Sequence, residues 1–366
     1  MSADARLKAQ GSRLRIAITV DPYIPVPPRL YGGIERVVDL AVRGLSARGH
    51  AVTLFAHPDS RVDVPLVPYG APPHVGKWSR ARELWQLGSA LLSRRQQFDV
   101  VFSWGRLAAL APILPYRRLP KIQRYCRNEV PWTSVQRAVR IAGASLSFAG
   151  ASASVYDELP RQNGGGGRWR TLHDAIDVSK YDSVSCVAAD APLVFLGRLE
   201  RVKGAHAAIA IARLAGRRLI LAGNHATSGP EAEYFAREIL PHVDADRVRY
   251  VGPVDDEAKN RLLGQAAALL FPIDWKEAFG IVMAEAMACG TPVVGFPRGS
   301  VPEVIEHGVT GFVCPDVETA AASVARISDL NRARVRAVCE ARFSDRVLVD
   351  RMLVLMSEAM VAAGRS

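Results

Sequence analysis

The sequence predicts an α/β chain made of two doubly wound parallel-sheet domains. Three observations point there. Short, continuously apolar, β-branched runs alternate with amphipathic helical stretches, the pattern of parallel strands covered on both faces. The alternation occurs twice, with a break near 180–190. A chain of 366 residues is also too long for one comfortable core.

In the first series "RLRIAITV" (13–20) reads as a strand and "AVTLFA" (51–56) as the next. Between them, "GIERVVDLAVRGLSARGH" sets Ile34, Val37, Val38, Ala41 and Leu45 on one helical stripe that ends at Gly49. "FDVVFSW" (98–104) is a third strand, with shorter ones expected near 121–125 and 145–149. Residues 160–170, "PRQNGGGGRWR", read as a flexible loop. "KWSRARELWQLGSALLSRRQQ" (77–97) reads as a basic amphipathic helix with Trp78, Ala81, Trp85, Gly88 and Leu92 on one stripe. Such a stripe either packs into the protein's own core or docks on an anionic membrane.

The second series contains "APLVFLGRL" (191–199), "RRLILAG" (217–223), "VRYVG" (248–252), "AALLFP" (267–272), "TPVVGF" (291–296) and "TGFVC" (310–314) as strands. "FSDRVLVDRMLVLMSEAM" (343–360) is a closing helix with an apolar stripe. The expected division is an N-terminal domain over 1–185 and a C-terminal domain over 186–344, with a cleft between them. Ligands of such sheets sit at the carboxyl ends of the strands.

Composition removes several classes. With 49% hydrophobic and 23% charged residues the chain is ordinary globular protein. No run reaches the roughly 20 apolar residues of a membrane span. The N-terminus lacks the apolar segment of a signal peptide, so residues 1–13 read as a loose polar tail and the expected location is cytoplasmic. Five scattered cysteines without CxxC spacing fit a reducing compartment and argue against a zinc site. The net charge of +11 is concentrated in residues 1–180, which hold 26 Lys/Arg against 13 Asp/Glu. The basic residues form no clustered tract, so nucleic acid is not expected; an anionic substrate or an anionic membrane surface accounts for the charge. Neither series carries GxGxxG, which disfavours a nicotinamide dehydrogenase.

The chemistry-bearing stretch is "DWKEAFGIVMAEAMACGTPVVG" (274–295), an apolar segment with two acids, Glu277 and Glu285. With a helix starting near Phe279, a separation of eight places them about 80° apart and about 12 Å along the axis. They cannot share a proton, but they can touch opposite ends of one elongated ligand. The amides of Gly280, Ile281 and Val282 at the helix start offer a phosphate site, and Gly280 admits close backbone approach. "FLGRLERVKG" (195–204) supplies Arg198 and Lys203, a fork and a mobile point charge suited to a diphosphate. Gly32 and Gly33 of "RLYGGIERVV" (29–38) open a helix after a strand and form a second phosphate-approach site. Taken singly, each has a plainer reading: a first-turn glutamate, a glutamate paired with an arginine, two solvated cations, a tight turn.

Together these stretches resemble the family 4 glycosyltransferases, retaining enzymes of the GT-B fold that use nucleotide-sugar donors. The resemblance runs from about Leu14 to Met360. It is densest at "YGGIERVV", "GRLERVKG" and "FPIDWKEAFGIVMAEAMACGTPVVG...GSVPEVIEHGVTGFV", where Glu277 and Glu285 match the family's E-x7-E signature. "TLHDAIDVSKY" (171–181) resembles the interdomain segment, with Asp174 where an asparagine is usual. The resemblance implies two Rossmann-like domains facing across a cleft, with residues 345–366 packing back on the first. It implies that Arg198 and Lys203 bind the donor diphosphate, Glu285 the ribose, and Glu277 the transferred sugar beside the Phe279 and Gly280 amides. Gly33 would approach the donor phosphate, and backbone near Val254 the base.

The expected activity is retaining transfer of a sugar from a UDP- or GDP-linked donor to a saccharide, lipid-linked glycan or secondary metabolite. No metal or cofactor is expected: Asp244 and Asp246, the close acid pair, lie in a polar loop. In the family's third strand a pattern like DVVHxH is common, whereas this chain has Phe102 and Trp104 at the histidine positions. Trp104 is therefore expected to stack on a sugar, with Arg127, Asn128 or Glu129 in the polar acceptor role. A catalytically silent nucleotide-sugar-binding protein and a GT-B phosphorylase or epimerase stay open as alternatives. Peripheral contact with the inner face of an anionic membrane is a further expectation.

Overall fold

The computed structural model describes residues 13–28, 32–70, 76–244 and 246–365. The N-terminal tail (1–12) and Tyr31 of "YGGIERVV" lie outside the described residues. The chain forms two compact units, one of Met1–Ala175 with Asp345–Ser366, the other of Ile176–Ser344. The boundary falls before residue 185 because the segment after Ile176 bonds into the second unit. Asp182 and Asn260 exchange two hydrogen bonds, and the Val184 amide donates to the Cys289 carbonyl.

The first unit carries seven parallel strands: β1 (Arg15–Thr19), β2 (Ala51–Ala56), β3 (Leu66–Pro68), β4 (Val100–Ser103), β5 (Lys121–Tyr125), β6 (Leu146–Gly150) and β7 (Trp169–Thr171). Their order is β3-β2-β1-β4-β5-β6-β7, all parallel, so the direction of winding reverses between β1 and β4. Ile16, Ile18, Leu54, Val100, Phe102 and Phe148 are fully buried, as a sheet covered on both faces requires. Helix Gly33–Ala47 covers one side through Val37, Val38, Ala41 and Leu45. The closing helix, Asp345–Ala362, follows helix Arg332–Phe343 and packs in the first unit. There Val349 fills the space a side chain on Gly44 would need, and Asp350 pairs with Arg48 at 2.6 Å.

Two strands were not evident beforehand. β3 is three residues long between prolines. β7 lies in the stretch expected to be a loop; the glycine run hides it, but Trp169 is buried and stacks on Phe148 at 4.9 Å.

The second unit has β8 (Leu193–Leu196), β9 (Leu219–Ala222), β10 (Val248–Tyr250), β11 (Ala268–Phe271), β12 (Val293–Gly295) and β13 (Gly311–Val313). They are all parallel in the order β10-β9-β8-β11-β12-β13. Here winding reverses between β8 and β11, and an open α/β sheet binds its ligand at such a switch point. Leu193, Leu221, Leu270, Val294 and Phe312 centre its core. Arg332, 8% exposed, ties the far side together. Its guanidinium donates to the carbonyls of Val184, Gly264 and Ala266 and to the Thr291 hydroxyl at 2.7–2.9 Å. Burial alone pulls its pKa down.

Candidate functional site

Three loops leave the carboxyl ends of β8, β11 and β12 and meet. After β8 the chain passes Arg198 and a short 3-10 turn, Arg201–Lys203, to Gly204. Gly204 sits at φ +80°, and a Cβ there would lie 2.0 Å from the Pro272 carbonyl oxygen. Only glycine lets this loop touch the exit of β11, and that contact brings Lys203 alongside Glu277. Lys203 Nζ donates to Glu277 Oε2 at 3.0 Å, the two side chains being 18% and 13% exposed.

Trp275 completes the pair. Its Nε1 donates to the same Glu277 oxygen at 3.0 Å, and its ring lies 4.3 Å from Lys203 Nζ. The backbone of Glu277 is fixed from β12: the Ser300 amide donates to the Glu277 carbonyl, and the Ser300 hydroxyl to the Phe279 carbonyl, both at 2.9 Å. Arg198 is exposed and pairs with Glu200 at 2.5 Å.

The helix begins at Ile281, two residues later than expected. Glu277 is thus a loop residue, and the separation of about 80° and 12 Å reckoned along one helix does not describe the two acids. Gly280 caps the helix at φ +74°, and the space where its Cβ would go is filled by Met283 and Phe271. The glycine is needed for its left-handed backbone, not to admit a ligand to that side. Phe279 is buried, its ring edge-on to Phe343 at 5.4 Å. Ile281 and Val282 are half-buried in the first helical turn.

Glu285 points inward, 7% exposed, yet it is fully compensated. Lys259 Nζ donates to Oε1 at 2.6 Å and Tyr181 OH to the same atom at 2.7 Å. Burial opposes the Lys259 charge, but Glu285 and then Asp256 outweigh it and hold its pKa above the ordinary lysine value. Both acids are therefore paired with lysines rather than the arginine considered from sequence. Val254 is half-buried just before helix Asp256–Gln265. Lys259, Tyr181 and Ser300 escaped the sequence reading because their partners lie 26, 104 and 23 positions away; Trp275 is only two positions from Glu277, but a loop tryptophan carries no spacing signal of the fold that turns its indole onto the carboxylate.

In the first unit Gly32 caps helix Gly33–Ala47; its Cβ would meet Pro28 at 2.7 Å, whereas Gly33 faces open space. At the β1/β4 switch point Arg106 lies 3.8 Å from Asp21, and the Trp104 amide donates to the Thr19 carbonyl. Trp104 does not offer the sugar platform expected of it. It is 6% exposed, tilted against Phe102 at 4.5 Å, with the Arg124 guanidinium 5.6 Å from its ring. Arg127 and Glu129 are exposed and Asn128 is half-buried.

Asp174 accepts from the buried Arg124 at 2.6 Å, which explains an acid in place of an amide: a buried guanidinium needs a negative partner. Thr19 Oγ1, Ser103 Oγ, Trp104 Nε1, Gln123 Oε1 and Arg124 Nε are buried without a partner among the described residues. Burial raises the carboxyls of Asp21 and Glu35 above their usual range. Among the described residues no group of three or more His, Cys, Asp or Glu could hold a metal ion.

Two family models match, and between them they take in both candidate regions. "Glycosyl transferases group 1" covers residues 189–342 and "Glycosyltransferase Family 4" covers 31–127. The chain is a glycosyltransferase. This glycosyltransferase is 27% identical over 352 residues to glycogen synthase of Mycobacterium tuberculosis (strain H37Rv), covering 83% of this chain and 84% of that one. It is 31% identical over 177 residues to D-inositol 3-phosphate glycosyltransferase of Mycolicibacterium smegmatis, covering 46% and 40%.

Among solved structures, sucrose-phosphate synthase from Thermosynechococcus elongatus superposes with TM-score 0.74 at 20% identity, covering 94% of this chain and 98% of that one. Anabaena Alr3699/HepE in complex with UDP and glucose gives 0.69 at 17%, covering 94% and 100%. The glycosyltransferase thus has the two Rossmann-like units of the GT-B class.

Proposed function

We propose that this glycosyltransferase moves a hexose from a UDP- or GDP-linked donor with retention of anomeric configuration and without a metal. The observation that carries the reading is the Lys203–Glu277 pair, which joins the loops after β8 and β11 at the switch point of the second sheet. A cation and an acid held there, with a helix N-terminus between Glu277 and Glu285, suit a ligand that is anionic in the middle and hydroxylated at both ends.

In this reading Lys203 and Arg198 bind the diphosphate and Glu285 accepts from the ribose hydroxyls. Glu277 accepts from the transferred sugar, the amides of Gly280, Ile281 and Val282 face the phosphate, and backbone near Val254 meets the base.

The chemistry follows from charge. As the glycosidic bond breaks, the sugar becomes oxocarbenium-like and negative charge gathers on the departing phosphate. Lys203 and Arg198 stabilise that charge from fixed positions, which is the work a metal would otherwise do. The departing phosphate takes the acceptor's proton, so no separate nucleophile or base is required. Lys203 must loosen its hold on Glu277 when the diphosphate arrives, and Trp275 Nε1 then keeps the carboxylate in place.

The acceptor is a saccharide, lipid-linked glycan or secondary metabolite. Its hydroxyls would meet the unpaired Thr19, Ser103 and Gln123 groups at the ends of β1, β4 and β5, with Asp21, Arg106, Arg127, Asn128 and Glu129 around them. No helix of the described residues is long and apolar enough to cross a membrane, and we place the reaction in the cytoplasm, at a site that takes no nucleic acid.

The test is release of nucleoside diphosphate from a panel of UDP- and GDP-sugars with and without acceptors, in chelator, with the product's anomeric configuration read by NMR. Acceptor-dependent release in chelator, with the donor's configuration kept, is expected. Inversion or a strict metal requirement contradicts the mechanism, and donor binding without turnover across a broad acceptor panel would make the protein a silent binder.

A further inference from the structure

Helix Gly76–Ser93 turns its apolar stripe the wrong way for packing. Its buried side chains are Glu83, Leu87, Gly88 and Leu91. Trp78 is 90% exposed and Trp85 71% exposed; among the described residues no large apolar side chain is more exposed than Trp78. At 100° per residue the two tryptophans stand within about 20° of each other, about 10 Å apart along the axis, and Trp85 lies about 160° from Leu87. The core reading of this stripe therefore fails for both rings.

Charge says what covers them. Lys77 and Arg82 are exposed and flank the rings, within about 100° of them around the axis, and Arg94 and Arg95 follow the helix. Glu83, its one acid, is turned inward, accepting from Tyr23 OH at 2.9 Å and from the Ser79 hydroxyl at 3.2 Å. The outward face is thus aromatic and purely cationic, in a unit whose sequence already carries the chain's excess of positive charge.

Pairing with a second copy across a two-fold axis would set these cations against themselves. An anionic lipid surface meets both features at once: indole rings sit at the headgroup boundary, one end apolar and one wet, and the cations gain from the negative surface potential.

We propose that the solvent face of helix Gly76–Ser93 docks this enzyme on anionic lipid bilayers, with Trp78 and Trp85 as the inserted anchors and Lys77 and Arg82 as the electrostatic contact. The docking stands on this helix alone and does not depend on the donor-site reading.

The experiment is co-sedimentation of the full chain with phosphatidylglycerol–phosphatidylcholine vesicles and with pure phosphatidylcholine vesicles, read with tryptophan emission. Binding to the anionic vesicles at low salt is expected, with a blue shift, release by high salt and little binding to the neutral vesicles. Trp78→Ser with Trp85→Ser should weaken it at least tenfold, and K77Q/R82Q at least as much. Both sets lie on an exposed face, and unchanged circular dichroism and unchanged affinity for nucleotide would show that the fold survives. No binding by the wild type at low salt, or equal binding by the tryptophan variant, overturns the proposal. A wild-type dimer that W78S/W85S converts to monomer, with no vesicle binding, assigns the face to a second copy and also overturns it.

Discussion

Lys203 Nζ lies 3.0 Å from Glu277 Oε2, and the two side chains come from loops after neighbouring strands of the second sheet. The pair is largely shielded from solvent, so each member restrains the other until a ligand competes. Lys203→Ala should weaken UDP binding by roughly ten- to hundredfold, the loss of one charge-assisted contact. Glu277→Gln keeps the shape and removes the charge. It should leave UDP affinity within a few fold while lowering turnover, because its proposed contact is with the sugar. Calorimetry with UDP, set beside turnover of the same variants, checks both; equal losses of affinity would contradict the division of roles.

Glu285 is held by Lys259 and Tyr181 on a single oxygen. Lys259→Met leaves a nearly buried carboxylate uncompensated and should cost roughly 3–5 kcal/mol of stability. Tyr181→Phe removes one hydrogen bond and should cost only about 1 kcal/mol. Urea unfolding measures the contrast, and a Lys259→Met midpoint equal to the wild type would show that the pair contributes nothing.

These two pairs also mark how far the sequence could be read. All the strands but β3 and β7, the E-x7-E acids, and Arg198 and Lys203 of "GRLERVKG" were legible because apolar runs and short spacings record them directly. Lys259 was not, because it reaches Glu285 from a polar helix 26 residues upstream, where a lysine looks like any solvated cation. Trp104 was misread for a related reason: a tryptophan after a strand suggests a platform, but only the packing of Phe102 and Arg124 shows it to be covered. Trp78 and Trp85 were left between core and membrane because a helical stripe does not say which way it faces.

Lys121 is fully buried, its ammonium donating to the carbonyls of Ile113, Leu114 and Tyr116 at 3.0–3.4 Å, and burial lowers its pKa to about 8. The unfolded chain, with an ordinary lysine near 10.5, then holds a proton that the folded chain has lost at any pH between the two values. Stability should therefore rise with pH across that window relative to Lys121→Met, by about 2 kcal/mol at most between pH 8 and 9.5. Below pH 8 the difference should be constant. Urea unfolding of both proteins at pH 7.5 and 9.5 tests it; parallel pH profiles would contradict it.

Of the five cysteines only Cys186 is exposed. Burial pushes the thiols of Cys126, Cys289 and Cys339 up to about 12 and raises that of Cys314. A thiol that stays protonated is a poor nucleophile. One equivalent of a thiol reagent should react quickly with the native protein at pH 8 and the other four only on unfolding. Rapid reaction of two or more in the native state would show the buried thiols to be accessible.

In the proposed function the loops after β8 and β11, together with Glu285, hold the donor. Calorimetric titration of UDP- and GDP-sugars into the wild type and into Lys203→Ala/Glu285→Ala, both verified as folded, tests this most directly. Saturable binding of at least one donor by the wild type, weakened at least a hundredfold in the double variant, is the predicted result. Equal affinity in the two proteins would contradict it.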